Sequence, residues 1–260
     1  MKREGMGRQN CSHLDPHWLD LLEGAEEWFQ GPLGQLLLSH QQAVLEEELQ
    51  RLFGGYLVHY SAVPGPAVKA AHIQRSVRIG APLAGVEIAC EEQSWPLGEH
   101  AADAVVLQHG LDFCLSPHGL LREAAFSVRP GGHLLIVGFN PWSLWGLRHW
   151  LSRDTWRQAR CIDPGRVSDW LHLLGFALEK RRFGCYRPPL CNSSWQARLQ
   201  PLESRAEAWQ LPGAGFYVLV ARKLVVGLRP LRPPRREARG QLLPLPVAKI
   251  SRCDSESEKY

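Results

Sequence analysis

A histidine and an aspartate three residues apart follow a short apolar run, and together they could handle a proton. The run is Ala104–Leu107, and His109 and Asp112 come just after it. A neutral imidazole near pH 7 can take a proton from a substrate nucleophile, and a nearby carboxylate can orient the ring. His109 is therefore a candidate general base with Asp112 as its partner. The alternatives are a pocket-wall histidine without a role in proton transfer, and a buried structural one.

A cluster of tryptophans is the second candidate for function. Four of the ten tryptophans of the chain fall within fifteen residues: Trp142, Trp145, Trp150 and Trp156. The cluster follows the strongest strand signal of the sequence, at His133–Phe139, so one interpretation is a cover over an apolar or aromatic substrate, with Trp142 and Trp145 in contact with that substrate. The other interpretation is a packed surface helix or a protein interface.

Several other kinds of site find no support in the sequence. The seven cysteines are odd in number and none has CxxC spacing, which argues against a disulfide scaffold and a zinc site and favours a reducing cytoplasm. There is no phosphate-binding loop of the GxxxxGK[ST] form and no recognisable Ser-His-Asp set. No stretch approaches 18 apolar residues, so we expect no membrane span, and the polar start of the chain does not resemble a signal peptide.

The charge of the chain does not favour a nucleic-acid partner. The formal net charge is +4, from 30 Lys+Arg against 26 Asp+Glu. The excess is concentrated in the Pro-rich stretch that holds Arg229, Arg232, Arg235, Arg236 and Arg239. A dedicated nucleic-acid binder is usually more basic over its whole surface. Nucleic-acid modification with this stretch as an electrostatic anchor is therefore only a third hypothesis.

Two helices are predicted before residue 54. Asp15–Pro16 is typical of a helix start, and apolar residues at helical spacing follow as far as Gly31. Pro32 begins a second helix, which we expect Gly54–Gly55 to end. The acidic run Glu46–Glu48 is interpreted as a solvated segment of this helix.

Beyond residue 54, short apolar runs alternate with helical stretches. The predicted strands are 56–60, 76–79, 85–89, 104–107, 133–139, 176–183 and 215–223. Four helices are predicted among them. The first is 66–72, the second begins at Ser116-Pro117 and ends before the turn 130–132, the third begins at Asp163-Pro164 and ends at Gly175, and the fourth lies near 203–210. This alternation predicts an α/β fold with a mostly parallel sheet and helices on both faces. In such sheets the ligand binds at the carboxyl ends of the strands, near the point where the strand order reverses.

The stretch from Ala101 to Phe139 carries a resemblance to a known family. It contains an aspartate before an apolar strand, a His-x-Leu-Asp segment, an Arg-Glu pair in the next helix, and Arg-Pro-Gly-Gly before a second apolar strand: Asp103, His109, Leu111, Asp112, Arg122, Glu123, Arg129, Pro130, Gly131 and Gly132. This pattern resembles the class I S-adenosylmethionine-dependent methyltransferases of the type 11 group. The resemblance implies a Rossmann-like, mostly parallel seven-stranded sheet with a C-terminal antiparallel hairpin.

The cofactor half of the family pattern is altered. The loop after the first strand aligns with Leu57–Gly65, where His59 stands in place of the family's acidic residue. Ser61 and Val63 replace two glycines, and only Gly65 is kept. The region that would supply a carboxylate to the ribose, 78–82, holds none. In the third position of the pattern, Glu91 matches the acidic residue that contacts adenine.

Taken together, the resemblance implies an enzyme that transfers a methyl group from S-adenosylmethionine. The implied cofactor contacts are His59, Ser61, Gly65, Glu91 and His109, and the implied substrate contacts are Asp112, Trp142 and Trp145. The expected acceptor is an unidentified small molecule. The alternative is a methyltransferase-like binding or interaction protein that has lost its cofactor. Because Gly65, Glu91, His109 and the segment 139–150 each follow a predicted strand, we expect them to line one pocket.

The same patterns divide the chain into three parts. Residues 1–53 are predicted to form an N-terminal helical extension, residues 54–227 a methyltransferase-like α/β domain, and residues 228–260 a Pro- and Arg-rich tail without a stable fold. The oligomeric state is not indicated by any feature of the sequence.

Overall fold

The computed structural model describes residues 15–152, 155–189 and 213–225. The residues before 15, the predicted helix near 203–210 and the predicted tail lie outside these ranges. One continuous hydrophobic core links the N-terminal helices to the central sheet.

The described residues form five α-helices, one short 3₁₀ helix and seven strands. The helices are α1 (Pro16–Gln30), α2 (Pro32–Leu49), α3 (Pro117–Ser127), α4 (Leu144–Leu151) and α5 (Pro164–Leu173), with the 3₁₀ helix at Thr155–Gln158. The strands are β1 (Phe53–Ser61), β2 (His72–Gly80), β3 (Ile88–Ala89), β4 (Ala102–Gln108), β5 (Val128–Phe139), β6 (Phe176–Gly184) and β7 (Phe216–Lys223). Their order along the chain confirms the predicted α/β class.

The helix starts are fixed by local capping. The side chain of Asp15 accepts a hydrogen bond from the first turn of α1, and Ser116 and Asp163 do the same for α3 and α5. In each case proline occupies the first helical position, where no backbone donor is needed. These three predicted helix starts are confirmed.

The sheet has the strand order β3-β2-β1-β4-β5-β7-β6. The first five of these strands are parallel, and β7 runs antiparallel to both β5 and β6. The predicted C-terminal antiparallel pair is therefore confirmed. The direction in which the chain progresses reverses between β1 and β4, so their carboxyl ends form the topological switch point where this kind of sheet binds ligands.

The helix pair α1–α2 packs onto this sheet through a buried acid that the sequence did not reveal. Glu48 is buried and accepts hydrogen bonds from Lys180 and Arg182 of β6, each at 3.0 Å. The prediction that the whole acidic run is solvated is wrong at this position, because the compensating cations come from a strand that is distant in sequence. Arg181, which lies between those cations, instead contacts Ser168 of α5 at 3.3 Å. Since side chains alternate along a strand, α2 and α5 cover opposite faces of β6.

Two other boundaries differ from the prediction. The glycine pair Gly54–Gly55 lies inside β1 and does not end α2, which stops at Leu49. Gly54 is required there because an added Cβ would lie 2.4 Å from the side chain of Asp103. The turn predicted at 130–132 is a bulge within β5, where Gly131 has φ +80°.

The connection between β1 and β2 contains no helix. The predicted helix at 66–72 is wrong: residues 62–66 form bends, 67–70 have no regular structure and 71 is a turn. Pro64 and Pro66 remove two backbone donors from this ten-residue crossover. The connection is supported from outside by the loop after β2, where Gly85 has φ +85° and an added Cβ would lie 2.3 Å from the carbonyl oxygen of Gly65.

Candidate active site at the carboxyl edge of the sheet

His109 and Asp112 form a buried pair just beyond the end of β4. His109 has φ +54°, an unusual conformation for a residue with a side chain, and its backbone N–H donates to the carbonyl of Val137 at 2.9 Å. Its Nδ1 lies 2.8 Å from Oδ2 of Asp112. The same oxygen accepts the backbone N–H of Phe139 at 3.0 Å, and the other carboxylate oxygen has no hydrogen-bond partner among the described residues. Because a carboxylate only accepts, the proton of the neutral ring belongs on Nδ1.

The other ring nitrogen of His109 is engaged by the N-terminal helix pair. Gln41 of α2 places its Nε2 at 2.7 Å from Nε2 of His109, and Gln108 donates to Oε1 of Gln41 at 3.2 Å. All three side chains are buried. With the proton of His109 on Nδ1, Gln41 is the donor in this contact. The carboxamide of Gln41 therefore joins two adjacent residues at the end of β4.

The same hydrogen-bonded chain continues to His59 of β1. Nδ1 of His59 accepts the backbone N–H of Val68 at 3.3 Å, so the ring carries its proton on Nε2, which lies 3.2 Å from Oε1 of Gln108. Burial, assisted by the positive charge of Arg78, lowers the pKa of His59 to about 3. His59 is therefore a neutral member of this chain.

Aromatic side chains surround His109. Phe139 and Phe29 lie with their ring centroids 4.2 and 5.0 Å from that of the imidazole, and Phe113 packs against both phenylalanines. Trp28 of α1 stacks on Trp156 with centroids 4.7 Å apart. These contacts leave His109 with no exposed surface, so no ligand reaches the pair in this conformation.

A buried arginine takes the place where the resemblance implies a ribose-binding carboxylate. Arg78, near the end of β2, donates from Nη2 to the carbonyl of Val63 at 2.6 Å and from Nη1 to that of Ala84 at 3.3 Å. Its pKa is lowered by burial, an effect opposed by the charge of Glu26. Arg78 thus binds the loop after β1 to the loop after β2.

The predicted adenine contact lies beside a small cavity. Glu91 is exposed at the rim of a cavity of about 190 Å³, which is also lined by Trp18 of α1 and by Leu115. Its neighbour Glu92 is buried and accepts the backbone N–H groups of Leu115 at 2.7 Å and Ser116 at 3.1 Å. Burial raises the pKa of Glu92, and these two hydrogen bonds oppose the rise.

Three buried aromatic residues with polar atoms lie next to this cavity. The ring of Tyr60 stacks on Trp95 with centroids 5.6 Å apart. The indole N–H of Trp18 approaches the hydroxyl of Tyr60, but within the described residues neither atom, nor the indole N–H of Trp95, makes a hydrogen bond of regular geometry. Burial raises the pKa of Tyr60 well above its ordinary value. Buried polar atoms without a regular hydrogen bond are uncommon in proteins as a whole, and a role in function is one explanation for those that occur.

A second and larger cavity lies on the other side of the β1 loop. It has a volume of about 410 Å³ and is lined by His59, Val63, Gly65 and Gln108 together with residues of α2. An added Cβ at Gly65 would contact nothing within 4 Å, so this stretch borders open space. Ser61 is turned into the loop, where its hydroxyl accepts the backbone N–H of Val63 at 3.0 Å.

The structure does not unite the predicted site residues in one pocket. Gly65 borders the larger cavity, Glu91 borders the smaller one, and His109 is enclosed between the sheet and the helix pair. The expectation of a joint pocket is therefore wrong for this conformation. Trp145 is buried and donates to the carbonyl of Arg187 at 2.7 Å, whereas Trp142 is 74% exposed, so only Trp142 faces outward. The individual roles assigned to these residues stay predictions.

Sequence reasoning missed Gln41, Arg78 and Glu92. Gln41 could have been found, because Leu37 and Leu45 lie four residues before and after it and place it on the buried stripe of α2. A glutamine on such a stripe needs a polar partner inside the protein. The buried positions of Arg78 and Glu92 depend on backbone groups of distant loops, for which the sequence contains no signal.

The described residues do not indicate other kinds of site. In the ranges given above, no cluster of His, Cys, Asp and Glu could hold a metal ion. None of the helices in the same part of the chain is both long enough and apolar enough to span a membrane.

The strand order and the antiparallel last pair define the fold of the class I S-adenosylmethionine-dependent methyltransferases, and this chain has that fold. A SAM-dependent methyltransferase from Thermotoga maritima matches it with a TM-score of 0.50 and 17% identity, over 78% of this chain and 99% of the other. A chain of the complex between the Haloferax volcanii Trm112 methyltransferase activator and a methyltransferase matches with a TM-score of 0.53 and 13% identity, over 77% and 98%. At these identities the likeness concerns the fold alone.

Among curated proteins, the uncharacterized protein YafS of Escherichia coli (strain K12) is 29% identical over 161 residues, which are 60% of this chain and 67% of YafS. No protein-family model matches the chain.

S-adenosylmethionine fits the described residues only in part. Glu91 and the adjoining cavity suit an adenine, whose amino group needs an acceptor. The ends of β1 and β2 offer His59 and Arg78 where carboxylates would receive the ammonium group and the ribose hydroxyls, and Arg78 already uses the loop carbonyl of Val63. The cavity at Glu91 is also separate from the one at Gly65. Binding of the whole cofactor would therefore require a rearrangement of α1 and of the β1 loop.

Proposed function

We propose that the protein is an S-adenosylmethionine-dependent methyltransferase with a small-molecule acceptor in the cytoplasm, and that the described conformation is its closed form. The observation that carries this proposal is the buried pair of His109 and Asp112 at the switch point of a methyltransferase fold. A buried carboxylate beside a histidine with positive φ, enclosed by aromatic rings, is costly to maintain for packing alone. Its position is the one at which this kind of sheet places its chemistry.

The chain's own residues would handle the proton and exclude water. When bound, S-adenosylmethionine supplies a methyl group on a sulfonium, which is already a good leaving group. His109 would accept at Nε2 the proton that the acceptor loses. Asp112, bound to Nδ1 at 2.8 Å, would stabilise the resulting imidazolium. Phe29 and Phe139 would keep water from the reacting groups.

A second function is favoured by the residues at the ends of β1 and β2. His59 is neutral, Val63 adds a branched side chain, and Arg78 occupies the loop carbonyls. This combination suits a protein that keeps the methyltransferase fold but binds a different ligand or a protein partner without S-adenosylmethionine. The fold does not decide between the two functions, because function depends on the site.

Calorimetric titration of the full chain with S-adenosylmethionine and S-adenosylhomocysteine separates the two proposals. Saturable binding of either compound is expected for the enzyme. A His59→Asp, Val63→Gly double variant should bind at least ten times more tightly, because it restores an acceptor for the ammonium group and removes a branched side chain. His72→Asp, at an exposed histidine of β2, is the matched control for the added charge. If none of the three proteins gave heat or a thermal shift at millimolar ligand, the methyltransferase proposal would be rejected in favour of the second function, a protein that binds a different ligand or a protein partner.

A further inference from the structure

The carboxamide of Gln41 occupies a two-point binding site built by consecutive residues at the end of β4. It donates to Nε2 of His109 at 2.7 Å and accepts from Nε2 of Gln108 at 3.2 Å. We propose that this is the acceptor subsite, that Gln41 is its internal occupant, and that its natural ligand presents a planar N–H and C=O edge like that of a carboxamide. This inference rests on the proposed function insofar as it names the ligand as the methyl acceptor.

The tautomers of the surrounding groups fix what the subsite recognises. Asp112 holds the proton of His109 on Nδ1, so Nε2 can only accept a hydrogen bond. The Oε1 atom of Gln108 is bound by Nε2–H of His59, so the amide group of Gln108 is oriented with its donor toward Gln41. The subsite therefore offers one acceptor and one donor, side by side. A primary amide, a lactam or the edge of a nucleobase has the complementary pair on one side, whereas a trans secondary amide does not.

The same geometry explains why the described conformation is closed to an acceptor. The single lone pair on the ring nitrogens of neutral His109 lies on Nε2, and Gln41 already uses it. An acceptor that is to lose its proton to this atom must first displace the carboxamide of Gln41. Since Gln41 is buried on α2, its carboxamide leaves the subsite either by rotation of the side chain or by movement of α2. The described attachments of α2 include the ion pairs of Glu48 with Lys180 and Arg182.

The walls of the subsite restrict the ligand further. The rings of Phe29 and Phe139 flank the imidazole at 5.0 and 4.2 Å. These rings are tilted by 43° and 35° to the imidazole and make its surroundings apolar, so the hydrogen bonds of the subsite are shielded from water. An ammonium group, which has donors but no acceptor, would satisfy only Nε2 of His109 and would leave the donor of Gln108 buried without a hydrogen bond, at a cost.

Chemical complementation of a Gln41→Ala variant tests this subsite without the cofactor. The substitution removes the atoms that acetamide contains, so acetamide should enter the vacated space and restore both hydrogen bonds. We expect a lower melting temperature for Gln41→Ala than for the wild type, and a rise of about 3–6 °C at ten times the dissociation constant of acetamide. N,N-dimethylacetamide, which has no N–H donor, should give less than a third of that rise.

The matched control is Gln42→Ala, the next residue of the same helix, whose exposed side chain donates to Glu46 at 2.8 Å. It should show the same response to acetamide as the wild type. If Gln41→Ala does not fold, Gln41→Ser leaves nearly the same space and is tested in the same way.

Two results would overturn the inference: the absence of a selective rise with acetamide, or an equal rise with both amides, since the latter indicates only the filling of an apolar cavity. A selective rise of the melting temperature with acetamide, together with no binding of S-adenosylmethionine, would support the subsite and contradict the proposed methyl transfer. Binding of S-adenosylmethionine without a selective rise with acetamide would support the proposed methyl transfer and contradict the subsite.

Discussion

The lowered pKa of His59 predicts how much folding stability the protein loses in acid. Burial, with a further contribution from Arg78, lowers this pKa to about 3, whereas an exposed histidine in the unfolded chain titrates near 6.5. Above pH 6.5 neither state binds the proton, and the stability is fully present. As the pH falls below 6.5, His59 becomes protonated in the unfolded chain but not in the folded protein. The free energy of unfolding therefore decreases progressively until the pH reaches about 3.

The size of this loss follows from the interval between the two pKa values. Each pH unit within the interval costs about 1.4 kcal/mol, so a change from pH 7.5 to pH 5 should remove about 2 kcal/mol through His59 alone. Burial lowers the pKa values of His133 and His149 as well, which adds to the acid sensitivity, whereas the raised pKa of Glu92 opposes it. A comparison of variants is needed to isolate the contribution of His59.

Urea unfolding of the wild type and of variants at pH 7.5, 6.5, 5.5 and 5.0 measures the contribution of His59 to the loss of stability in acid. In a His59→Gln variant the amide can still donate to Gln108 and cannot be protonated in this range. The variant should lose about 2 kcal/mol less than the wild type between pH 7.5 and pH 5. His72→Gln, at an exposed histidine, should follow the wild type. If the curves of wild type and His59→Gln ran parallel through pH 5, His59 would not be held neutral by burial, and the tautomer assigned to it would lose its support.

Two further predictions concern the attachments of the helix pair and of the loops. Glu48→Gln should lower the free energy of unfolding by about 1–3 kcal/mol in urea titrations, because the half-exposed Lys180 loses its buried partner and Arg182 keeps only its ion pair with Glu47. Glu46→Gln, on the exposed side, should change it by less than about 0.5 kcal/mol, and equal effects would show that the ion pairs of Glu48 are unimportant. Gly85→Ala should lower the melting temperature by several degrees, because φ is +85° and the new Cβ would meet a backbone carbonyl at 2.3 Å, while Gly98→Ala, which meets nothing within 4 Å, should leave it unchanged.

The parts of the fold that were predictable from sequence are those determined by local interactions. An Asp-Pro or Ser-Pro pair fixes a helix start because the cap and the first turn lie within four residues of each other, as at Asp15, Ser116 and Asp163. The run Ala104–Leu107 is recognisable as a central strand because both of its faces are buried. The order of these elements was sufficient to predict a mostly parallel sheet, whereas the antiparallel last pair was implied by the resemblance to a known family.

The parts that were not predictable depend on partners far away in the chain. Glu48 looks like its exposed neighbours in the sequence, and its burial follows from Lys180, which is 132 residues away. The course of the connection between β1 and β2 depends on Arg78 of β2 and on Gly85 of the following loop, both of which support it from outside. In the same way, the sequence places His109 at the correct edge of the sheet but gives no sign that the N-terminal helices cover it.

The departures from the family pattern at β1 and β2 are electrostatically coupled. Arg78 satisfies the carbonyl of Val63, and its charge helps to keep His59 neutral. A neutral His59 can in turn donate from Nε2 and accept at Nδ1, which is what connects Val68 to Gln108. A carboxylate at position 59 could accept at both ends but could not donate to Gln108, so the orientation of that amide would be lost. The replacement of acid by histidine at β1 and the presence of arginine at β2 therefore support one hydrogen-bonded chain, which ends at His109. This mutual dependence is why we interpret the altered loop as part of a built site and not as the remains of one.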